Sequence, residues 1–332
     1  VTNLYKALYL KFSKGLGPVR IKKLIEEDKL SIDFEVKSVR EKVEKEIEKI
    51  DKIGCNTVTI FDNDYPELLK NIPDPPVVLY YKGFINDKNL LAVVGTRKPS
   101  LYGLKACEYI IPSLVKNNLG IVSGLAIGID TIAHNTTLKS GGYTIAVLGS
   151  GIDKIYPRTN MKVAENILEK GGCILTEFDV GTEASYYTFP SRNRIISGLS
   201  LGTLIIEASI SSGALITAKI AAEQGRVVFA VPGPILKDSF LGNNTLIREG
   251  GILIRDAEDI VKELNISFSR ESLNLELTEE ESIIYNSIEQ DTDLDTIIQK
   301  TSLGTSKVLS IISNLIVKDI VVETGGLYSR KS

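Results

Sequence analysis

Two patterns of apolar residues divide the chain. Up to about residue 53 they recur at helical spacing: Leu4, Leu8 and Phe12 share one face, and VRIKKLIEE and SVREKVEKEIEKI are amphipathic in the same way. From Leu90 to about residue 262 the pattern changes to short aliphatic runs: LLAVV, GIVSG, YTIAVLG, CILTEF, GTLIIEA, RVVFAVPG and GILI. Amphipathic segments separate them. Strands apolar on both sides must be covered on both faces, so these runs predict a doubly wound parallel sheet, an α/β domain.

Between these regions lies YPELLKNIPDPPVVLYYKG, in which Pro73, Pro75 and Pro76 break helix formation before a strand expected over Val77 to Tyr81. Within the helical region, KGLGPVR carries the glycines and proline that a tight helix-to-helix turn needs. That turn is either a plain connection in a small bundle or a helix-hairpin-helix that points backbone N–H groups at a phosphate. The last stretch reads as a separate unit. Thr278 with Glu281 forms the sequence of a capping box, two further helices follow over DLDTIIQKT and GTSKVLSIISNLIVKD, and Gly325-Gly326 turns a hairpin. Three helices and a hairpin predict a winged helix.

At 332 residues, with 43% hydrophobic and 24% charged, the chain has the size for two or three globular domains. Its three cysteines, Cys55, Cys107 and Cys173, show no C-x-x-C spacing, which predicts neither a disulfide framework nor a zinc site and suits a reducing cytoplasm. No apolar run approaches the roughly 20 residues of a membrane span. Lys6 and Lys11 interrupt the start, so neither a signal peptide nor an anchor is expected, and Val1 in place of methionine suggests trimming. The net charge of −3 divides into +1 over residues 1–86, +2 over 87–262 and −6 over 263–332. The middle can therefore present a basic patch, whereas the acidic end repels phosphates. Its third helix offers only Lys307 and Lys318 as cations, a poor set for reading a duplex.

Four segments stand where an open α/β sheet binds ligands, at the carboxyl ends of predicted strands. VVGTRKPSLYG brings Gly95, Thr96 and the permanently charged fork of Arg97 to a helix start, which suits a phosphodiester. SGLAIGID contributes Ser123, Gly124 and Gly128, with Asp130 placed to cap the next helix. It is not G-x-G-x-x-G, and no acidic residue stands at the offset that grips a ribose, which argues against a dinucleotide site. These glycines serve either a ligand or close helix-strand packing. GSGIDKIYPRTN supplies Gly149 and sets Lys154 and Arg158 around Tyr156, a ring that can stack on a base. FPSRNRIISGLS offers Ser191, Arg192, Asn193 and Arg194. The two arginines cannot face the same way on a helix, so one is expected at the ligand and the other in a structural pair, with Glu207 as candidate partner. Ser211, Ser212 and Gly213 mark another helix start. The single histidine, His134, has no Cys or second His near it in sequence and is expected to pack or cap a helix. No nucleophile elbow, P-loop or metal-binding carboxylate pair is present in the sequence, so no cofactor, metal or reaction is expected.

In this order, VVGTRKPSLYG, VSGLAIGIDTIAH, IAVLGSGIDKIYPRTN, FPSRNRIISGLS, SGALITAKIAAEQGRVVFAVPG and GNNTLIREG resemble the core of the DprA (Smf) family of DNA-processing proteins. The likeness covers about residues 65 to 255. It implies an extended Rossmann-like domain over 65–264, flanked by a helical SAM-like or helix-hairpin-helix domain over 1–64 and a winged helix over 270–332. It further implies a cytoplasmic, non-catalytic protein that binds single-stranded DNA, protects it, helps load RecA during natural transformation, and dimerises through the Rossmann-like domain. By the same likeness Arg97, Arg158 and the segment Ser191 to Arg194 line the DNA path, with the backbone at Gly95, Gly124, Gly128 and Gly149 near phosphates. Two other readings remain open. The architecture also resembles nucleotide phosphoribohydrolases marked by P-G-G-x-G-T-x-x-E. SLGTLIIEAS echoes that loop at Gly202, Thr203 and Glu207 but lacks the double glycine, and its Thr-to-Glu interval is longer by one. The other reading is a RecA-recruiting scaffold in which DNA binding is secondary.

Overall fold

The computed structural model describes residues 2–30, 32, 34–266, 278–288, 292–301, 303–317 and 320–330. The chain divides into two compact units, Val1–Ser269 and Arg270–Ser332.

The first unit opens with three helices, α1 (Asn3–Phe12), α2 (Pro18–Glu26) and α3 (Lys37–Ile53). The Thr2 hydroxyl caps α1 by accepting from the Tyr5 amide, Pro18 starts α2 with its φ already helical, and Gly54 ends α3 in the left-handed conformation. These helices are tied to the sheet. Lys11 donates to the Glu177 carbonyl at 2.7 Å and pairs with Asp179, while the buried Glu46 carboxylate accepts from the Val180 amide at 2.7 Å.

Nine strands form one sheet: β1 (Asn56–Thr59), β2 (Val78–Gly83), β3 (Leu90–Val94), β4 (Gly120–Ser123), β5 (Thr144–Val147), β6 (Cys173–Thr176), β7 (Gly202–Ile205), β8 (Val227–Ala230) and β9 (Ile252–Leu253). Their order is β1-β2-β6-β5-β4-β3-β7-β8-β9. The seven from β3 to β9 run parallel, and β2 and β1 add antiparallel strands at one edge. All seven aliphatic runs are strands of the parallel part. Along β3, Leu90, Ala92 and Val94 enter one core cluster and Leu91 and Val93 the other, so this central strand is buried on both faces.

Helices α4 (Glu67–Lys70), α5 (Leu101–Lys116), α6 (Ile129–Lys139), α7 (Met161–Glu169), α8 (Thr188–Gly198), α9 (Gly213–Glu223), α10 (Leu241–Arg248) and α11 (Ala257–Glu263) complete the unit. The chain winds outward one way from β3 through β6 and the other way from β7 through β9. The topological switch therefore falls between β3 and β7, whose carboxyl ends open a crevice. Asn243, fully buried, fastens the far side of that crevice: its Nδ2 donates to the carbonyls of Ile205, Ile206 and Val231, and its Oδ1 accepts from the Ala208 amide.

In the second unit, α12 (Glu279–Ser287) starts with the reciprocal Thr278 and Glu281 capping box. It packs with α13 (Leu294–Thr301) and α14 (Thr305–Val317) around Ile284, Ile297, Val308, Ile312 and Leu315. An antiparallel sheet accompanies them, in the order β10 (Thr292–Asp293), β12 (Leu327–Arg330), β11 (Val321–Thr324). Gly325 and Gly326 take positive φ between the last two strands, as a tight hairpin requires. Lys307 is paired with Glu280, and Lys318 lies outside the described residues. No helix among the described residues is long and apolar enough to cross a membrane.

Candidate nucleic-acid interface

At the switch point the loop after β3 is fixed by its neighbours. The Thr96 amide donates to the Glu207 carbonyl at 2.7 Å, its carbonyl accepts from the Ile129 amide at 3.1 Å, and its Oγ1 accepts from the Lys98 amide. Gly128, at φ +86°, makes this possible. A Cβ there would stand 2.4 Å from the Thr96 carbonyl oxygen and 2.7 Å from the Arg97 Cα. The loops after β3 and β4 therefore lie against each other, and Arg97 is held out into solvent.

A cleft opens beside Arg97, lined also by Gly124, Ala126, Ile127, Tyr156, Pro157, Phe189 and Arg192. The Arg97 guanidinium sits over the Phe189 ring at 5.5 Å from its centroid, and the Tyr156 ring lies 5.6 Å from that of Phe189. Arg97 makes no ion pair among the described residues. Arg192 is 5% exposed, and its Nη1 donates to the carbonyls of Gly124 at 2.6 Å and Val147 at 2.5 Å, which ties α8 to the ends of β4 and β5. Its Nη2 has no protein hydrogen-bond partner among the described residues, although the residue lines the cleft.

The charges around the cleft do not cancel. Burial brings Arg192 down to about 10, opposed by the attraction of Asp130 and aided by repulsion from Arg97, so it stays cationic at neutral pH. Asp130 does not cap its own helix as expected. It reaches back to accept from the amides of Gly124 and Ala126, and burial raises its pKa against the pull of Arg192. Asn160 braces the same loop, donating to the Leu125 carbonyl and the Thr131 hydroxyl, both at 2.8 Å.

Of the residues singled out in sequence, the cleft brings together Arg97, Gly124, Tyr156 and Arg192. Arg158 and Lys154 are exposed outside its lining, and Lys154 is paired with Glu183 at 3.1 Å. Ser191 is exposed and donates to Glu177, and Asn193 accepts from Arg192 Nε.

Three expectations need correction. Ser123 is fully buried and its hydroxyl donates to the Val93 carbonyl, so it joins strands and does not face a ligand. Arg194 is the structural arginine, but its partners are Glu177 (2.5 Å) and Asp74 (2.8 Å), because α8 lies over the end of β6. Glu207 instead accepts from the amide and hydroxyl of Ser100 at the start of α5, both at 2.9 Å. The glycines show the close packing that was one of their two readings, for a Cβ on Gly95 would meet Ile129, on Gly149 Phe189, and on Gly124 the guanidinium of Arg192, while Gly124 also lines the cleft. His134 is buried, with its Nδ1 2.8 Å from the Thr144 hydroxyl, and burial lowers it to about 3, so it packs its helix as a neutral ring.

Sequence reasoning missed Ala126, Ile127, Pro157 and above all Phe189. The signal was available: an aromatic residue within the first turn of a helix whose next turn carries Arg192 shares that arginine's face.

The model of the family described as DNA recombination-mediator protein A matches residues 56–265. The chain belongs to this family, that of the DprA and Smf proteins. Similar members include protein Smf of Escherichia coli, 43% identical over 202 residues, a match spanning 60% of this chain and 54% of that one. DNA processing protein DprA of Bacillus subtilis is 42% identical over 214 residues, 64% of this chain and 72% of the relative. Among solved structures, the X-ray structure of DprA from Streptococcus pneumoniae aligns with a TM-score of 0.69 at 36% identity, over 79% of this chain and 98% of that one. DprA from Helicobacter pylori, whose structure concerns its single-stranded DNA binding mode, aligns with a TM-score of 0.57 at 28% identity, over 64% and 95%.

Proposed function

We propose that this family member binds single-stranded DNA in the cleft between the loops after β3, β4 and β5 and the first turns of α8. One observation carries the reading. Arg97 is cationic and exposed, and among the described residues it makes no ion pair; it is stacked on Phe189 beside a second guanidinium whose Nη2 has no hydrogen-bond partner among those residues. Phosphate fits the two arginines, and Tyr156, Phe189 and Ile127 supply apolar surface for a sugar or an unpaired base. Arg158, exposed just beyond Pro157, extends the cationic path. The single-stranded DNA named for the Helicobacter pylori relative points the same way.

The cleft is suited to holding a strand and not to cutting it. None of its lining residues is a carboxylate, histidine, serine or cysteine, and Glu207, the residue a phosphoribohydrolase would need, is buried under Ser100. We read residues 1–64 as a SAM-like helical domain, 65–264 as the Rossmann-like domain and 270–332 as a winged helix. Protection of incoming DNA, RecA loading, a homodimer through the Rossmann-like domain and a cytoplasmic setting complete the proposal, supported by the family. Titration of Arg97→Ala against oligo-dT tests the site, and RecA filament formation on the bound strand tests the loading role.

A further inference from the structure

We propose that Tyr186 and Tyr187 form a stacking platform for unpaired bases next to the cleft. This rests on the reading of the cleft as a single-strand site. Both side chains stand almost wholly in solvent, 85% and 84% exposed, where a packing role would bury them. They end the loop that leads into α8: Tyr187 precedes Thr188, and Phe189 of the cleft wall follows two positions on. In sequence these rings stand just before the residue that walls the cleft.

The two rings hold each other edge to face, with centroids 6.0 Å apart and planes at 83°. In that arrangement the ring that offers its edge keeps both of its own faces open to a ligand. Neither phenol hydroxyl has a hydrogen-bond partner among the described residues, so no polar contact of the fold explains the position. The local charge selects which part of a nucleotide fits. Glu183 lies three residues before Tyr186 and already holds Lys154 at 3.1 Å, so that lysine is engaged and does not compete for a phosphate here. A neutral base with an exposed π-face is the matching group. Such faces are free in a single strand and hidden in a duplex, so the platform adds strand discrimination to the affinity that Arg97 and Arg192 provide.

Tyr186→Ala and Tyr187→Ala, titrated with oligo-dT and with an abasic oligonucleotide of the same length, test this. Each alanine variant is expected to weaken oligo-dT binding by at least about five-fold. The abasic strand should bind wild type and variants alike, and Tyr186→Phe and Tyr187→Phe should keep wild-type affinity. A 2-aminopurine reporter in the strand should lose its quenching in the alanine variants. Equal losses on both strands, or unchanged oligo-dT binding in both alanine variants, would overturn the platform; unchanged binding would leave the surface to a protein partner. Arg97→Ala separates the two levels. If it abolishes binding while the tyrosine variants do nothing, only the platform fails; if it changes nothing, the cleft reading fails first.

Discussion

The guanidinium of Arg192 occupies the space that a side chain at position 124 would need. A Cβ on Gly124 would lie 2.3 Å from Arg192 Nη1, the same nitrogen that donates to the carbonyls of Gly124 and Val147. The glycine of the loop after β4 and the arginine of α8 are thus one unit, and it sets the wall of the cleft.

Gly124→Ala is therefore expected to push Arg192 out of place and leave buried carbonyls unpaired. The cost should be about 1–3 kcal/mol of stability, read by urea denaturation, together with a clear loss of oligo-dT affinity. Wild-type binding by this variant would show that the position of Arg192 does not matter to the ligand.

Arg194 is held in place by charge. Its guanidinium meets Glu177 through two nitrogens and Asp74 through Nε, with side-chain exposures of 10% and 14% for Arg194 and Glu177. Glu177→Ala leaves that cation buried without its main partner and should destabilise the protein by about 3–5 kcal/mol. A denaturation midpoint within error of wild type would contradict the pairing.

His134 gives the stability a pH dependence. The buried ring is lowered from 6.5 to about 3, so below pH 6.5 the unfolded chain binds a proton that the folded chain refuses. Its contribution is complete above pH 6.5 and falls as the pH drops toward 3, by at most about 1.4 kcal/mol per pH unit. Asp130, whose pKa is raised by burial, works in the opposite direction and offsets part of this loss as the pH falls through its raised value. Unfolding midpoints across pH 4.5 to 7 should show a shallower slope in His134→Asn than in wild type; parallel slopes would exclude His134 as the source.

How far the sequence revealed this arrangement depended on whether the determining contact was local. The strands β3 to β9 were legible because each is a short aliphatic run, fully buried from β3 through β7 and only partly so in β8 and β9. The strand β1 was not: its four residues, Asn56 to Thr59, hold one aliphatic side chain, Val58, and pair only at the sheet's edge. The arginines of SRNR show the same boundary. Their spacing of two told that they diverge, but Arg194 finds Glu177 and Asp74, 17 and 120 residues away, and no local pattern could choose those over Glu207. Phe189 was passed over because an aromatic at a helix start looks like core until the loop beside it places a guanidinium on its face.

The most direct measurement is the salt dependence of oligo-dT binding by Arg97→Ala, with Arg158→Ala beside it. Arg97 should account for about one phosphate contact, so its removal is expected to weaken binding roughly ten-fold or more. It should also reduce the slope of log K against log salt by about 0.7, with the unfolding midpoint unchanged. Arg158→Ala should act in the same direction. An Arg97→Ala protein that binds oligo-dT with wild-type affinity and wild-type slope would contradict the assignment of the cleft.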